Sequence, residues 1–483
     1  MFTAALSGDE RSRYLRDYPN RVAVKHAHSQ RNPEKDWGRH TLAAIDFAFY
    51  VLNGLKDQRA GRYAPENTIV IASSISNGAY AALAAAEQDD RGLIDGIAVS
   101  EPNVSLAGIQ VPRIDQGSAS YASNGRSVFD TSTLLNVYEP CAALSEQNAN
   151  APLNTAPQPL KEARCASLAA KGLLKSRTLA EQAAESQRLV NEYGILPDAN
   201  AVLPSHYTLS VQQGIAVTYA YSYGRFSVTD NLCGYTFAAT AASGANAGEP
   251  VPAAGLELSF ATSNGIPPTA GINLVNNLSP GGAKEDRISV SPSTGTRDMN
   301  LDGALCLRAL ATGIDAVTGQ PLQGDMLEKH RRVQRGIAET ALSGKLRGKP
   351  AVFVDGRSDA ILPPNHASRA YYALNKSLEP GSKLHYYEVT NAHHLDVLNG
   401  VAGFDGRYVP LHVYFVQALN LMWDHLRNNR PLPASQLVRS KPREVKDGKV
   451  APITAANVPP IEQALGGNSL ISVGMDGALR IPD

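Results

Sequence analysis

The chain has 483 residues, and its 45 Lys and Arg exactly offset its 45 Asp and Glu. With no surplus of positive charge to neutralise a phosphate backbone or an anionic lipid surface, neither nucleic acid nor a membrane is expected as a partner. Hydrophobic residues at 43% and charged residues at 19% exclude a disordered chain, and the length suits about three domains or one large α/β domain carrying an insertion.

The start, Met1 to Asp17 (MFTAALSGDERSRYLRD), has no basic segment followed by an apolar run, so it reads as cytoplasmic rather than exported. Arg21 to Lys25 (RVAVK) is a short strand candidate, Asp36 to Leu55 has helical periodicity, and Thr68 to Ser73 (TIVIAS) is a β-branched apolar run. An Ala-rich helix from Gly78 to Gln88 and a strand at Gly96 to Ser100 follow. This alternation predicts a parallel sheet with helical crossovers. It resumes late in the chain, with a strand at Ala351 to Asp355, a helix at Asn365 to Asn375, a strand at Lys383 to Val389 and a helix from Pro410 to Leu426.

The intervening segment is different. Thr178-Leu-Ala-Glu181 is a capping box that starts a helix, and Gly194 is its stop. Val202 to Val228 is rich in Tyr, Val and Thr, while Ala239 to Ala254 and Ile266 to Thr296 read as loops. The expected organisation is a hydrolase core in two parts, 1–102 with a nucleophile turn and 347–430 with an acid and a histidine, separated by a lid or insertion domain, 103–346. A C-terminal tail, 431–483, would wrap the surface and carry a hairpin at Asp447-Gly448.

Thr68 to Leu83 joins strand to helix through Ser74-Ile75-Ser76-Asn77-Gly78. A serine on a sharp strand-to-helix turn, with small residues two places to either side, is the pattern of the nucleophile elbow in α/β-hydrolases, where neighbouring backbone crowds those positions. Ser74 stands where the strict pattern has its first Gly. Ser74 also fits the loose pattern, but Gly78 and the following helix favour Ser76. The Asn77 N–H would then be an oxyanion donor. A serine nucleophile needs a histidine base and a carboxylate to orient it, in the chain order Ser, acid, His. Asp359 follows one strand and His393 and His394 follow the next. Asp355 competes with Asp359, and spacing does not choose between the two histidines. His26 and His28 are candidates for the same strand-end rim, and Asp298 to Gly303 imitates the start of a calcium loop but has Ala309 where the bidentate Glu belongs. No metal or other cofactor is expected. The cysteines, Cys141, Cys165, Cys233 and Cys306, are either buried thiols or two disulfides; proximity along the chain pairs the first two and the last two.

Several stretches carry a resemblance: Lys25-His-Ala-His-Ser-Gln-Arg-Asn-Pro-Glu-Lys-Asp-Trp-Gly38, Ala72-Ser-Ser-Ile-Ser-Asn-Gly78, Val99-Ser-Glu-Pro-Asn-Val104, Thr390-Asn-Ala-His-His-Leu-Asp396 and Pro410-Leu-His-Val-Tyr-Phe415. Over nearly its whole length the chain resembles the 3-hydroxybutyrate oligomer hydrolases. The resemblance implies a serine esterase of the α/β-hydrolase type that cleaves short oligomers of (R)-3-hydroxybutyrate to monomers, downstream of polyhydroxybutyrate depolymerases. It places the nucleophile on Ser76 and the base on His394, and it implies an extracellular or periplasmic location. Family members usually have a further N-terminal stretch with a secretion signal, the earliest sheet strands and a loop that gives a second oxyanion donor. Arg357 or Arg369 is a candidate to pair with the terminal carboxylate of the small oligoester substrate. Alternatives are another lidded serine esterase of the feruloyl esterase kind, a peptidase, or a catalytically silent hydrolase module.

Overall fold

The computed structural model describes residues 3–55, 61–256, 267–269, 271–466 and 468–483. They form two compact units, one of Glu34–Ser127, Tyr193–Ala199 and Thr340–Asp483, the other of Met1–Pro33, Val128–Glu192 and Asn200–Glu339. These boundaries differ from the sequence-based ones: the first 33 residues group with the inserted segment, while 103–127 and 340–346 group with the sheet.

The first unit is a mixed α/β structure around a five-stranded sheet. Its strands, β1 (Ile71–Ile75), β2 (Gly96–Ser100), β3 (Ala351–Gly356), β4 (Leu384–Val389) and β5 (Gln436–Val438), lie side by side in chain order, and every pairing is parallel. Its principal helices are α1 (Trp37–Leu55), α2 (Ser76–Gln88), α3 (Ser368–Leu378) and α4 (His412–Asn428). Successive side chains of a strand point to opposite faces, and β3 shows the result. Val352 and Val354 join Tyr414, Ala418 and Met422 of α4 in one core, while Phe353 meets Tyr371 of α3 from the other face, ring centroids 5.3 Å apart. β2 and β3 are buried along their whole length, which is why they read as nearly unbroken apolar runs.

Three expectations change here. Arg21 to Lys25 is not a sheet strand: Arg21 makes an isolated bridge to Ala238, and the chain turns helical at Lys25–His28, with the Val24 N–H donating to His28 Nδ1 at 3.0 Å. The tail does more than wrap, because Gln436–Val438 is the buried fifth strand and Leu479–Ile481 pairs in parallel with Ile114–Gln116. The helix expected from Asn365 starts at Ser368, since Asn365 Nδ2 donates to the Gly194 carbonyl at 3.0 Å and the His366 ring bonds the Tyr193 carbonyl at 2.9 Å. The tail hairpin forms at Asp447-Gly448, both in the left-handed region, between antiparallel Val445–Lys446 and Lys449–Val450.

The second unit is mainly helical, with a four-stranded antiparallel sheet formed by Pro250–Val251, Tyr235–Thr240, Ile272–Asn276 and Lys284–Glu285 in that order. Three of those strands, and the last two residues of Tyr235–Thr240, lie in segments expected to be loops; residues 266 and 270 of those segments fall outside the described residues. The Tyr- and Val-rich stretch is helical at Leu203–Thr208 and Val211–Gly224, the latter buried along its whole length. The capping box forms as read, Glu181 N–H to Thr178 Oγ1 at 3.3 Å and Thr178 N–H to Glu181 Oε2 at 3.2 Å. Both disulfides pair as proximity suggested, Cys141 with Cys165 and Cys233 with Cys306. Pro140 sits inside the Val128–Ala142 helix and has no N–H to offer the Asn136 carbonyl. The buried Arg164 supplies it instead, donating to the carbonyls of Asn136 at 2.7 Å, Val137 at 3.0 Å and Asp298 at 2.7 Å, and also to that of Met299.

Among the described residues no helix is long and apolar enough to cross a membrane.

Candidate active site

The sheet unit brings Ser76, His394 and Asp359 together at the carboxyl ends of its strands. Ser76 is the first residue of α2, directly after β1, and its φ of 54° is a left-handed conformation that a non-glycine residue rarely adopts. The turn is crowded. A Cβ added at Gly78 would lie 2.0 Å from Ser74 Oγ and 2.9 Å from Ser74 Cβ, so a side chain at 78 requires Ser74 to turn its hydroxyl away and shift. The loop after β2 clasps the turn from outside: the Asn103 N–H donates to the Ser76 carbonyl at 3.1 Å and Asn103 Nδ2 to Asn77 Oδ1 at 2.9 Å.

Ser76 Oγ lies 2.9 Å from His394 Nε2, and His394 Nδ1 lies 2.7 Å from Asp359 Oδ2. Asp359 is fully buried, and its second oxygen accepts the N–H groups of Ile361 and Leu362, both at 2.8 Å. That fixes the carboxylate, so a neutral His394 keeps its proton on Nδ1 and turns an unprotonated Nε2 to the serine. Burial pulls the His394 imidazole down, but the charge and hydrogen bond of Asp359, with Glu101 and Asp396, outweigh it and raise the ring to about 9.

The competing residues have other partners. Asp355 meets Ser368 Oγ, and burial with the nearby Asp359 charge pushes its carboxyl well above the usual range. His393 is buried, its Nε2 2.9 Å from Asn399 Oδ1 and its Nδ1 accepting the Leu395 N–H at 3.3 Å, with the ring packed against Tyr408 at 4.7 Å. Burial holds it below the ordinary imidazole value. The two adjacent histidines part because Asn391 takes a left-handed φ of 52° and the loop folds back on β3. A Cβ at Gly356 would lie 2.4 Å from the Ala392 carbonyl oxygen. His28 does not reach this site: it is buried in the helical unit against Tyr221 and Phe237. His26 belongs to the same unit, its ring against Tyr219.

Arg357 and Arg369 do not await a substrate carboxylate. Arg369 Nε and Nη2 each donate to Glu388 at 2.7 Å, and Arg357 Nε donates to Glu388 at 2.6 Å. All three are buried. Burial alone would raise the Glu388 carboxyl, but the two guanidinium groups hold it at about 2. Sequence reasoning missed this carboxylate, although a charge on the Leu384 and Tyr386 face of an apolar strand is a signal that a buried cation must meet it. Asp298 is a hydrogen-bonded turn residue, accepting Ser291 Oγ at 2.6 Å and Thr294 Oγ1 at 2.9 Å. Among the described residues no cluster of His, Cys, Asp or Glu is placed to hold a metal ion.

A family model described as 3HB-oligomer hydrolase matches residues 1–483. The chain is 47% identical over 473 residues to a D-(-)-3-hydroxybutyrate oligomer hydrolase of Polaromonas naphthalenivorans, covering 96% of this chain and 65% of the relative. Proteins of the same name from Paracidovorax citrulli and Azoarcus sp. are each 46% identical, covering 100% of this chain and 68% of the relative. The chain thus spans about two thirds of the length of these curated relatives. No solved structure matches.

Proposed function

The chain belongs to the 3HB-oligomer hydrolase family, and on that premise we propose that it is a serine esterase of the α/β-hydrolase type that cleaves short (R)-3-hydroxybutyrate oligomers to monomers. The observation that carries this reading is the unbroken relay from Ser76 Oγ through His394 to Asp359, at 2.9 and 2.7 Å, on a turn held in a left-handed conformation. In the proposed reaction His394 Nε2 takes the Ser76 proton as Oγ attacks the ester carbonyl, and the Asn77 N–H donates to the oxygen that becomes negative. The imidazolium returns that proton to the departing alcohol oxygen, leaving an acyl-serine. Water, deprotonated by the same nitrogen, attacks the acyl carbon; the imidazolium then gives that proton to Ser76 Oγ as the acyl–oxygen bond breaks, releasing the acid and restoring the free serine. Asp359 holds the ring and balances its transient charge without taking the proton.

An oligoester with one terminal carboxylate suits a chain of zero net charge. The two disulfides support an oxidising compartment; under denaturing, non-reducing conditions no reactive thiol is expected, and four would count against export.

Ser76→Ala should lower hydrolysis of the 3-hydroxybutyrate dimer by about 10⁴-fold or more with an unchanged circular dichroism spectrum. Retained activity would overturn the assignment. Labelling of the purified chain by a fluorophosphonate should be lost in the same variant, and a wild-type chain that never labels would favour a silent module. His394→Ala should match the serine variant in severity. His393→Ala should keep most of kcat, because its ring is committed to Asn399 and the Leu395 N–H.

A further inference from the structure

The stretch Val99-Ser-Glu-Pro-Asn-Val104 has so far given one working residue, Asn103. The register of the sheet gives its neighbour a place. Ile75 of β1 pairs with Ser100 of β2, and Ser100 pairs with Val354 of β3. One residue further along each chain come Ser76, where the helix begins, Glu101, and Asp355, still within β3, so Glu101 lies at the strand ends between the nucleophile turn and β3. Like Ser76, Glu101 has a positive φ, 34°, although it is neither glycine nor Asn. Its N–H is tied to the Val354 carbonyl at 2.8 Å, Ser100 Oγ donates to its carboxylate, and the residue is only 5% exposed. Two strained non-glycine residues side by side, one of them a buried acid with no arginine or lysine against it among the described ion pairs, mark a place where the fold tolerates cost for a purpose.

We propose that Glu101 is a positioning residue of this site, a second carboxylate that acts with Asp359 on the His394 imidazolium and so helps hold the charge that forms when Ser76 gives up its proton. The inference rests on the serine-esterase reading. The titratable groups that interact with Glu101 are His394, Asp359, Asp396 and Asp355; His394 also interacts with His393, which burial holds down against the opposing pull of its bond to Asn399. Burial raises Glu101 to about 7, against the opposing pull of His394 and Ser100, so its charge changes in the range where the relay operates. In return Glu101 is among the groups that raise His394.

The test is the pH dependence of kcat/KM for the 3-hydroxybutyrate dimer in the wild type, Glu101→Gln, Asp359→Asn and the double variant. The rate should rise with pH as His394 loses its proton. In Glu101→Gln the rising limb should move to lower pH, so that the rate at pH 8, where Glu101 is ionised and His394 still largely protonated, increases roughly three- to fivefold relative to the plateau, while the plateau itself falls. The double variant should be slower than Asp359→Asn by a further factor of about ten. A rising limb in Glu101→Gln that coincides with the wild type, or a double variant no slower than Asp359→Asn, would overturn the proposal. The pH dependence of fluorophosphonate labelling of Ser76 repeats the test without substrate binding, and a thermal melt separates misfolding from mistuning. Failure of the esterase reading would look different: the wild type itself would neither hydrolyse nor label.

Discussion

In the sheet unit two guanidinium groups, those of Arg357 and Arg369, converge on one buried carboxylate, Glu388. In the helical unit a single buried guanidinium, Arg164, is answered by main-chain carbonyls. The first sets one carboxylate against two cations and the second sets a cation against carbonyl dipoles, and the covalent ties follow the same division. Both disulfides lie in the helical unit, whereas the sheet unit has no cysteine. The sheet unit therefore relies on interactions that protons can undo, and the helical unit on bonds that electrons can undo.

The largest effect should come from breaking the charge cluster. Glu388→Gln leaves two buried cations without their counter-ion, which typically costs about 3–5 kcal/mol, and hydrogen exchange should accelerate first in peptides covering β3 and β4. The acid limit follows from the same carboxylate. Its folded-state value of about 2 lies below the roughly 4.3 of a free glutamate, so its stabilisation is complete above the free value and disappears as the pH falls through about 2. Exchange in the sheet unit that is indifferent to acid over that window would erase the contrast. Replacing Cys233 and Cys306 by serine opens a sequence separation of 73 residues, for a loss of about 4 kcal/mol, and the separation of 24 between Cys141 and Cys165 corresponds to about 3 kcal/mol. Both losses should appear in exchange of helical-unit peptides, and reductant should reproduce them while Ser76 labelling in the sheet unit persists. The smallest effect is Thr178→Ala, which removes one cap from the Leu179–Glu192 helix for about 1 kcal/mol and should be confined to that helix.

Much of what could be read from the sequence was local, the order of Ser76, Asp359 and His394 and the pairing of the cysteines being the exceptions. The apolar run into β1, the small residues around Ser76 and the capping box at Thr178 each lie within one element and follow from period, volume or turn chemistry. Of the readings that failed, some were local, such as the strand at Arg21 to Lys25, and the rest concern partners distant in sequence. Arg357 and Arg369 were candidates for a substrate carboxylate, but the carboxylate they meet, Glu388, lies 31 and 19 residues away, and no local pattern joins them. The three-residue strand Gln436–Val438 is too short to show alternation and is a strand only because β4 is beside it. The choice between His393 and His394 turned on the backbone at Asn391 and the close approach of the loop to Gly356, neither of which spacing reveals.

The crowding between residues 74 and 78 gives the elbow pattern a different meaning. The space that a side chain at 78 would need is filled by Ser74 Oγ as it stands, so the two positions share one compartment and a side chain at 78 displaces the Ser74 hydroxyl. A pattern with glycine at both ends leaves the compartment half used; this chain fills it from the strand side. The requirement written as small residues around a serine is thus a constraint on the sum of two volumes, and a substitution at either position is a substitution at both. Ser74→Gly is the change that would open position 78 to alanine, and alanine at 78 in the presence of Ser74 would move the turn that carries Ser76.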